Sequence, residues 1–369
     1  MLVFKNLLRR KVRTLLSVLG VALGIGAIIA FNAVGRGFKS SLHRYVLGSG
    51  AQMLVVNRMV TDPAFSRVSK EDQDHIRAAP GVAHLSPATF SMASPRGLKV
   101  PTRMLTLLIF GRTPGDRLLE KYAGTVDGRL IAADDEVMLG ADAARGLGLR
   151  TGDTLDLFRR TFRVVGVFRS DVKFESAGAM VPNAVIQQEL RMGEAISMGF
   201  LYLKEGADWR AVKAHVEAGR EHLEAMRTDQ FVLFYNQLEY IDWFVWIVSL
   251  VSVVVGALGV LNTMLMAVSE RTREIGTLRA LGWSRAKVLR LVLAEGALIS
   301  GLGGLAGLAA GWAGAEVLIL WAPSGLDTQY TPLLFVQAMA VALGLGVAGA
   351  FYPAWQAGRL SPIEALKYE

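Results

Sequence analysis

No cysteine occurs in the 369 residues, so disulfides, zinc–thiolate centres and cysteine nucleophiles are excluded. Histidine is nearly as scarce. His43, His75, His84, His215 and His222 share no metal-ligand spacing, and no His-Glu-x-x-His is present. A Gly-x-Ser-x-Gly elbow is missing too. Gly35-Arg-Gly-Phe-Lys39-Ser40 has the glycines of a phosphate loop but not its Gly-Lys-Ser/Thr core, and it follows a long apolar run. Asp134, Asp135 and Glu136 read as a solvated turn rather than a catalytic pair. These gaps leave no residue set for an enzyme, and no metal or cofactor is expected on the chain itself.

Charged residues are also few, at 20%, whereas 52% of residues are hydrophobic and the mean hydropathy is +0.36. Soluble domains sit nearer 25% charge, so the composition points to a membrane. The net charge of +8 is concentrated in two places. Lys5, Arg9, Arg10, Lys11 and Arg13 have no acid among them. Arg271, Arg273, Arg279, Arg285, Lys287 and Arg290 face only Glu270, Glu274 and Glu295. Both groups flank apolar runs, which is the pattern that fixes membrane orientation, and a nucleic-acid role is not indicated.

Four runs match the roughly 20 apolar residues that a bilayer requires: Leu15–Val34, Phe244–Val268, Gly296–Leu320 and Leu333–Phe351, the last opened by Pro332. The first is longer than the roughly 7–15 residues of a signal-peptide core and is expected to remain as a span. With basic segments inside, both termini and the Arg-rich loop are cytoplasmic, and the loop APSGLDTQYTP lies outside. Small residues recur at helical spacing: Gly20 and Gly24; Gly303, Gly307 and Gly311; Ala342, Gly346 and Ala350. Such stripes allow close helix packing, within the bundle or between two copies. Glu295 and Glu316 are expected at span edges, within reach of headgroups, and Asn262 and Thr263 are expected to bond to a neighbouring helix.

Between the first and second spans the pattern becomes that of a soluble domain, which about 200 residues can stabilise without disulfides. Ser69 and Asp72 have the spacing of a helix start, with Pro80-Gly81 ending that helix near Ala79. Leu155 and Leu157, then Phe162 and Val164, alternate as in a hairpin around Arg159-Arg160. Val137–Gly152 and Trp209–Met226 read as helical. The fold class expected is an α-helical membrane protein with four transmembrane helices, arranged one plus three, and an α+β extracytoplasmic domain between the first and second. Its parts are residues 1–35 (N-terminus and first helix), 36–240 (outer domain with stalk helices) and 241–369 (three helices and a cytoplasmic loop).

That loop, from Ser269 to Arg290, reads as a short helix with Ile275, Leu278 and Leu281 along one face. Gly282 suits its stop and Ser284 the cap of the next helix. An amphipathic helix of this kind can lie on headgroups or in the groove of a partner protein. The segment resembles the signature loop of the MacB/FtsX type of ABC-transporter permeases. So do Phe4–Ser17, Val137–Gly140, Gly152-Asp153, Phe162–Gly166, Leu293–Gly296, Gly301–Gly304, Tyr352–Ala354, Ala357 and Ser361–Leu366, in the family's order and across the whole chain.

The resemblance implies a permease subunit whose cytoplasmic ABC ATPase is a separate chain, since no Walker A motif is present. ATP and Mg would be bound there and not here. Glu270–Gly282 would be the coupling helix, with Glu270, Arg271, Arg273, Glu274 and Arg279 as polar contacts and Ile275, Gly276, Leu278 and Gly282 shaping it. A second permease copy (a homodimer) and the lipid bilayer are implied partners, and a periplasmic adaptor remains open. Stalks would run through Arg36–Leu47 and Phe231–Asp242. ATP binding would move the outer domain without substrate crossing the bilayer, in the bacterial cytoplasmic membrane. Two roles fit: export of a lipid, lipoprotein, peptide or drug, or transmembrane signalling to a partner such as a cell-wall hydrolase.

Overall fold

A computed structural model describes residues 11–58, 66–97, 106–234, 236–321 and 325–359, with side chains outside 11–13, 232–241 and 320–321. The resemblance segments 4–10 and 361–366, residues 322–324 of the third loop, and the side chains of most of the second stalk lie outside the described residues. The chain divides into two units, Met1–Gly35 with Asp242–Val317 and Thr328–Glu369, and Arg36–Ile241 with Leu318–Asp327.

The first unit is built from four helices long and apolar enough to cross a membrane. Each continues beyond its apolar run: Lys11–Leu47, Asn236–Glu270, Arg285–Trp321 and Pro332–Arg359. A 37-residue helix rises about 55 Å, well over the ~30 Å of a hydrocarbon core. The fourth helix accommodates Pro353 in its interior and continues past Phe351, where the apolar run ends, to Arg359.

Glycines bring these helices together. A methyl group at Gly303 would lie 2.7 Å from the Val21 side chain, at Gly307 2.8 Å from the Ala22 carbonyl oxygen, and at Gly311 2.7 Å from that of Gly26. The third helix therefore packs on the first along that stripe. Gly346 is closed in the same way by Gly296 and Ser300 of the third helix, and Gly24 by the Ser252 carbonyl of the second. Gly20 differs, because a methyl there meets nothing within 4 Å. Thr263 pairs with Ser17 of the first helix, whereas Asn262 is exposed. The second helix is the least covered, with Trp243, Trp246 and Val255 each more than half exposed.

The second unit is a ten-stranded mixed sheet. Its strands are β1 Met53–Asn57, β2 Val82–Ala93, β3 Leu107–Arg112, β4 Val126–Gly128, β5 Glu136–Gly140, β6 Thr154–Leu157, β7 Arg160–Phe168, β8 Ala179–Pro182, β9 Met198–Leu203 and β10 Leu223–Arg227. The order is β10-β1-β9-β2-β3-β8-β5-β7-β4, with β6 paired to β7. The long β2 joins two halves: residues up to Ala88 pair with β9, and those from Thr89 pair with β3. Strand alternation divides the core by face. Leu54, Val56, Phe110, Met138 and Phe200 pack with Tyr45 and Val46 on one side. On the other, Met53 and Val55 join the cluster of helices Lys70–Ala78 and Trp209–Glu217, and Ile109, Val137 and Leu139 join that of Ala141–Leu147.

Three local expectations are corrected. Val137–Gly140 is strand β5, paired parallel to β7, and the helix occupies only Ala141–Leu147 before the left-handed Gly148. The helix from Trp209 ends at Glu217. The chain turns at Gly219 (φ +67°) and returns as β10, where Leu223 and Ala225 alternate into the core. Glu136 is not solvated. It is buried and ion-paired to Arg129 and Arg163, and its carboxyl is pulled down to about 2, chiefly by the Arg129 hydrogen bond and against the cost of burial. The Ser69 capping box forms with Asp72, and the β6–β7 hairpin turns through Phe158 and Arg159, both at positive φ.

Candidate functional site

The loop helix, Thr272–Ala280, lies between the second and third membrane helices. Its end is a Schellman motif: Gly282 N–H donates to the Arg279 carbonyl at 3.1 Å, and Trp283 N–H to that of Leu278 at 3.1 Å. Gly282 supplies the required positive φ of +92°. Ser284 then starts the third helix, its hydroxyl accepting from Lys287 N–H at 3.3 Å.

One face of this helix is fastened down. Ile275 and Gly276 are buried, and Ile275 packs with Val268, Val288 and Val292. The seam these residues form with Ala267, Leu278, Leu291, Arg271 and Glu295 leaves only about 10 Å³, no more than one water's worth of space. Arg271 ties the loop down: Nη1 donates to both Glu295 oxygens at 3.0 and 2.9 Å, and Nε donates to Glu274 at 3.2 Å. Burial would lower the Arg271 pKa, but Glu295 and Glu274 reverse this and hold it raised.

Two readings change here. Glu295, expected near headgroups, is buried against Arg271, and Arg271 is turned to it rather than outward. Leu281, read on one apolar face with Ile275 and Leu278, is 76% exposed whereas Ile275 is buried, because Leu281 is the C-cap residue where the helix stops. The outward stripe is Arg273, Glu274, Thr277, Ala280 and Leu281, with Glu270 and Gly282 exposed at the ends and Leu278 and Arg279 half-buried. Arg279 Nε is buried with no hydrogen-bond partner among the described residues. The Arg271–Glu295 pair had a signal in the sequence: an acid ten residues into an apolar helix, close to a loop rich in arginine.

The sheet unit holds a buried polar cluster that sequence did not disclose. Arg112, fully buried, donates to the Gly111 carbonyl at 2.9 Å and to the Tyr45 hydroxyl at 3.1 Å. Glu175 accepts from Tyr122 and, at 2.6 Å, from Ser170, with Lys121 Nζ at 3.6 Å. Burial pushes the Tyr45 phenol up to about 12, with Arg112 opposing. Lys121 thus pairs with Glu175 and Arg112 with the Tyr45 hydroxyl around the end of the first long helix, while Arg112 Nε is buried with no hydrogen-bond partner among the described residues. Among the described residues no group of three His, Cys, Asp or Glu is placed to hold a metal. His75 and His215 stack at 4.8 Å, while His84 and His222 pair with Asp116 and Asp72.

Four membrane helices, a mixed-sheet domain inserted after the first, and an anchored surface helix between the second and third define a multi-pass membrane protein. Residues 14–218 match the family model described as MacB-like periplasmic core domain, and residues 246–362 match that of the FtsX-like permease C-terminal. The chain belongs to the MacB/FtsX type of ABC-transporter permeases.

It is 24% identical to an uncharacterized ABC transporter permease of Methanocaldococcus jannaschii, covering 99% of this chain and 96% of that one. It is 22% identical to the uncharacterized ABC transporter permease YknZ of Bacillus subtilis, over 99% and 97%. Against the macrolide export ATP-binding/permease protein MacB of Bdellovibrio bacteriovorus it is 25% identical and covers 99% of this chain but 61% of the relative. The extracellular domain of YknZ, a solved structure, aligns with 48% of this chain at 13% identity and a TM-score of 0.38.

Proposed function

We propose that this permease converts the ATP cycle of an ABC ATPase, carried on a separate chain, into motion of its inserted domain, with no substrate path through the bilayer. The observation that carries this reading is the loop helix. One face is fixed to the membrane helices by Ile275 and the Arg271–Glu295 pair, and the other offers a mixed-charge stripe ending in an exposed leucine. A partner groove that gripped the stripe would move the helices behind it. A charged rim with one apolar anchor is the usual composition of a protein docking site. ATP and Mg²⁺ belong to the partner.

The basic segments support a cytoplasmic position for this helix and both termini. The uncovered apolar face of the second helix supports pairing with a second copy in the bilayer. Of the two roles, export of a lipid, lipoprotein, peptide or drug is favoured, because relatives over the full length of this chain are macrolide export proteins. The chain spans about 60% of their length.

The absence of cysteine makes a direct test simple. A cysteine at exposed Arg145 and another at exposed Arg273, labelled for distance measurement in the reconstituted complex, should report a distance change on ATP binding that hydrolysis reverses. A constant distance through the cycle would remove the proposed mechanism. Motion without transport of any candidate substrate class into or out of vesicles would turn the assignment to signalling.

A further inference from the structure

We propose that Glu316 and Tyr330 form a binding site for the ammonium group of a membrane phospholipid. Glu316 lies on the third membrane helix, in a segment with an exposed apolar surface that includes Trp312 and Val317. It falls 20 residues after Gly296, about 30 Å along the helix and so at the limit of a hydrocarbon core. A carboxylate there needs a counter-charge. Among the described residues no cation lies within ion-pair distance of it, and its one hydrogen bond is from the Tyr330 hydroxyl to Oε1, at 3.0 Å.

Tyr330 is itself held in place. Its ring stacks on Phe335 with centroids 6.1 Å apart, and the adjacent Gln329 N–H donates to the Ala33 carbonyl at 2.9 Å. Its hydroxyl also approaches the Trp312 carbonyl, at 3.5 Å. One carboxylate oxygen is thereby oriented and the other left open, beside an exposed indole one turn earlier. Negative charge and aromatic faces at headgroup depth suit an ammonium ion. Phosphatidylethanolamine and phosphatidylcholine both carry one, and phosphatidylglycerol does not.

The test is native mass spectrometry of the full chain in detergent, titrated separately with these three lipids. The wild type should bind an ammonium lipid about tenfold more tightly than phosphatidylglycerol, the effect of one charge-assisted contact, and Glu316→Gln should abolish that preference. Glu316→Asp, which keeps the charge, should retain most of it, and Tyr330→Phe should weaken it. Binding of the ethanolamine lipid alone would assign N–H donation to the carboxylate, and equal binding of both would assign charge and aromatic contact. Equal affinity for phosphatidylglycerol, an unchanged preference in Glu316→Gln, or an equal loss in Glu316→Asp would overturn the site.

Discussion

Replacing Arg271 with Met should destabilise the membrane unit by about 3–5 kcal/mol, the cost of leaving a buried carboxylate without its partner. The structure places this at the upper end, since Glu295 is 6% exposed and Arg271 donates to both of its oxygens. Glu295→Met should cost less, about 2–3 kcal/mol, because Arg271 is 22% exposed and keeps Glu274 at 3.2 Å. The double variant Arg271→Met, Glu295→Met removes both charges and fills the seam beside Val268, Val288 and Val292 with apolar atoms. It should lie within about 1 kcal/mol of the wild type, as buried pairs replaced by hydrophobic residues often do. The assay is equilibrium unfolding of the purified chain in mixed micelles, read for all four proteins as a double-mutant cycle. ATPase stimulation by the permease should follow the same order, lost in the singles and largely recovered in the double. If the double variant loses the sum of the single losses to within about 0.5 kcal/mol, the pair is not what anchors the loop helix.

Three other outcomes follow from the same contacts. Gly311→Val should disrupt the first–third helix seam, where even a methyl would meet the Gly26 carbonyl at 2.7 Å. Overpacking of this kind costs about 1–3 kcal/mol, whereas Gly20→Ala should be silent, and thermal unfolding separates the two. Glu136, with its carboxyl held down to about 2, lends stability that is complete above the ordinary carboxyl pKa near 4.5 and is lost as pH falls towards 2. Glu136→Gln should therefore flatten the acid limb of the stability curve and cost about 1–2 kcal/mol at neutral pH, a figure reduced because both arginines are half-exposed. Glu175→Gln should destabilise the inserted domain by leaving buried Lys121 without its carboxylate and Arg112 without a nearby counter-charge, at a cost of about 3 kcal/mol or more in chemical denaturation.

Sequence reveals most where physics leaves little choice. A bilayer demands long apolar runs, so the four spans could be read directly, and their order implied a domain after the first. Helix ends outside the bilayer face no such demand, so the apolar run Leu15–Val34 does not itself show the helix continuing to Leu47; that expectation comes from the stalk the family resemblance implies at Arg36–Leu47. Ser69 and Asp72 could be read because a capping box is local. Val137–Gly140 could not, because a short apolar run suits a strand or a buried helix equally until its neighbour is known, and that neighbour is β7. The candidate site divides in the same way. Gly282 and Ser284 are local punctuation, and their roles followed from spacing. The partners Arg271 and Glu295 lie 24 residues apart, and Arg112 meets Tyr45 across 67, so neither contact could be seen before the fold. Leu281 shows a finer limit, since helical spacing put it on one face with Ile275 and Leu278 although the helix stops before it can point with them.

The docking proposed for this permease has an ABC ATPase grip the outward stripe of the Thr272–Ala280 helix. Affinity purification of the tagged chain from its native membranes, beside Leu281→Ser and the charge reversal Arg273→Glu, which leaves the Arg271–Glu274 contact intact, reads that docking. All three proteins should fold alike, because these side chains are exposed. An ATPase subunit that copurifies with the wild type and is lost from both variants is the predicted result. An ATPase retained equally by all three, or absent from all, would contradict the docking surface assigned to this helix.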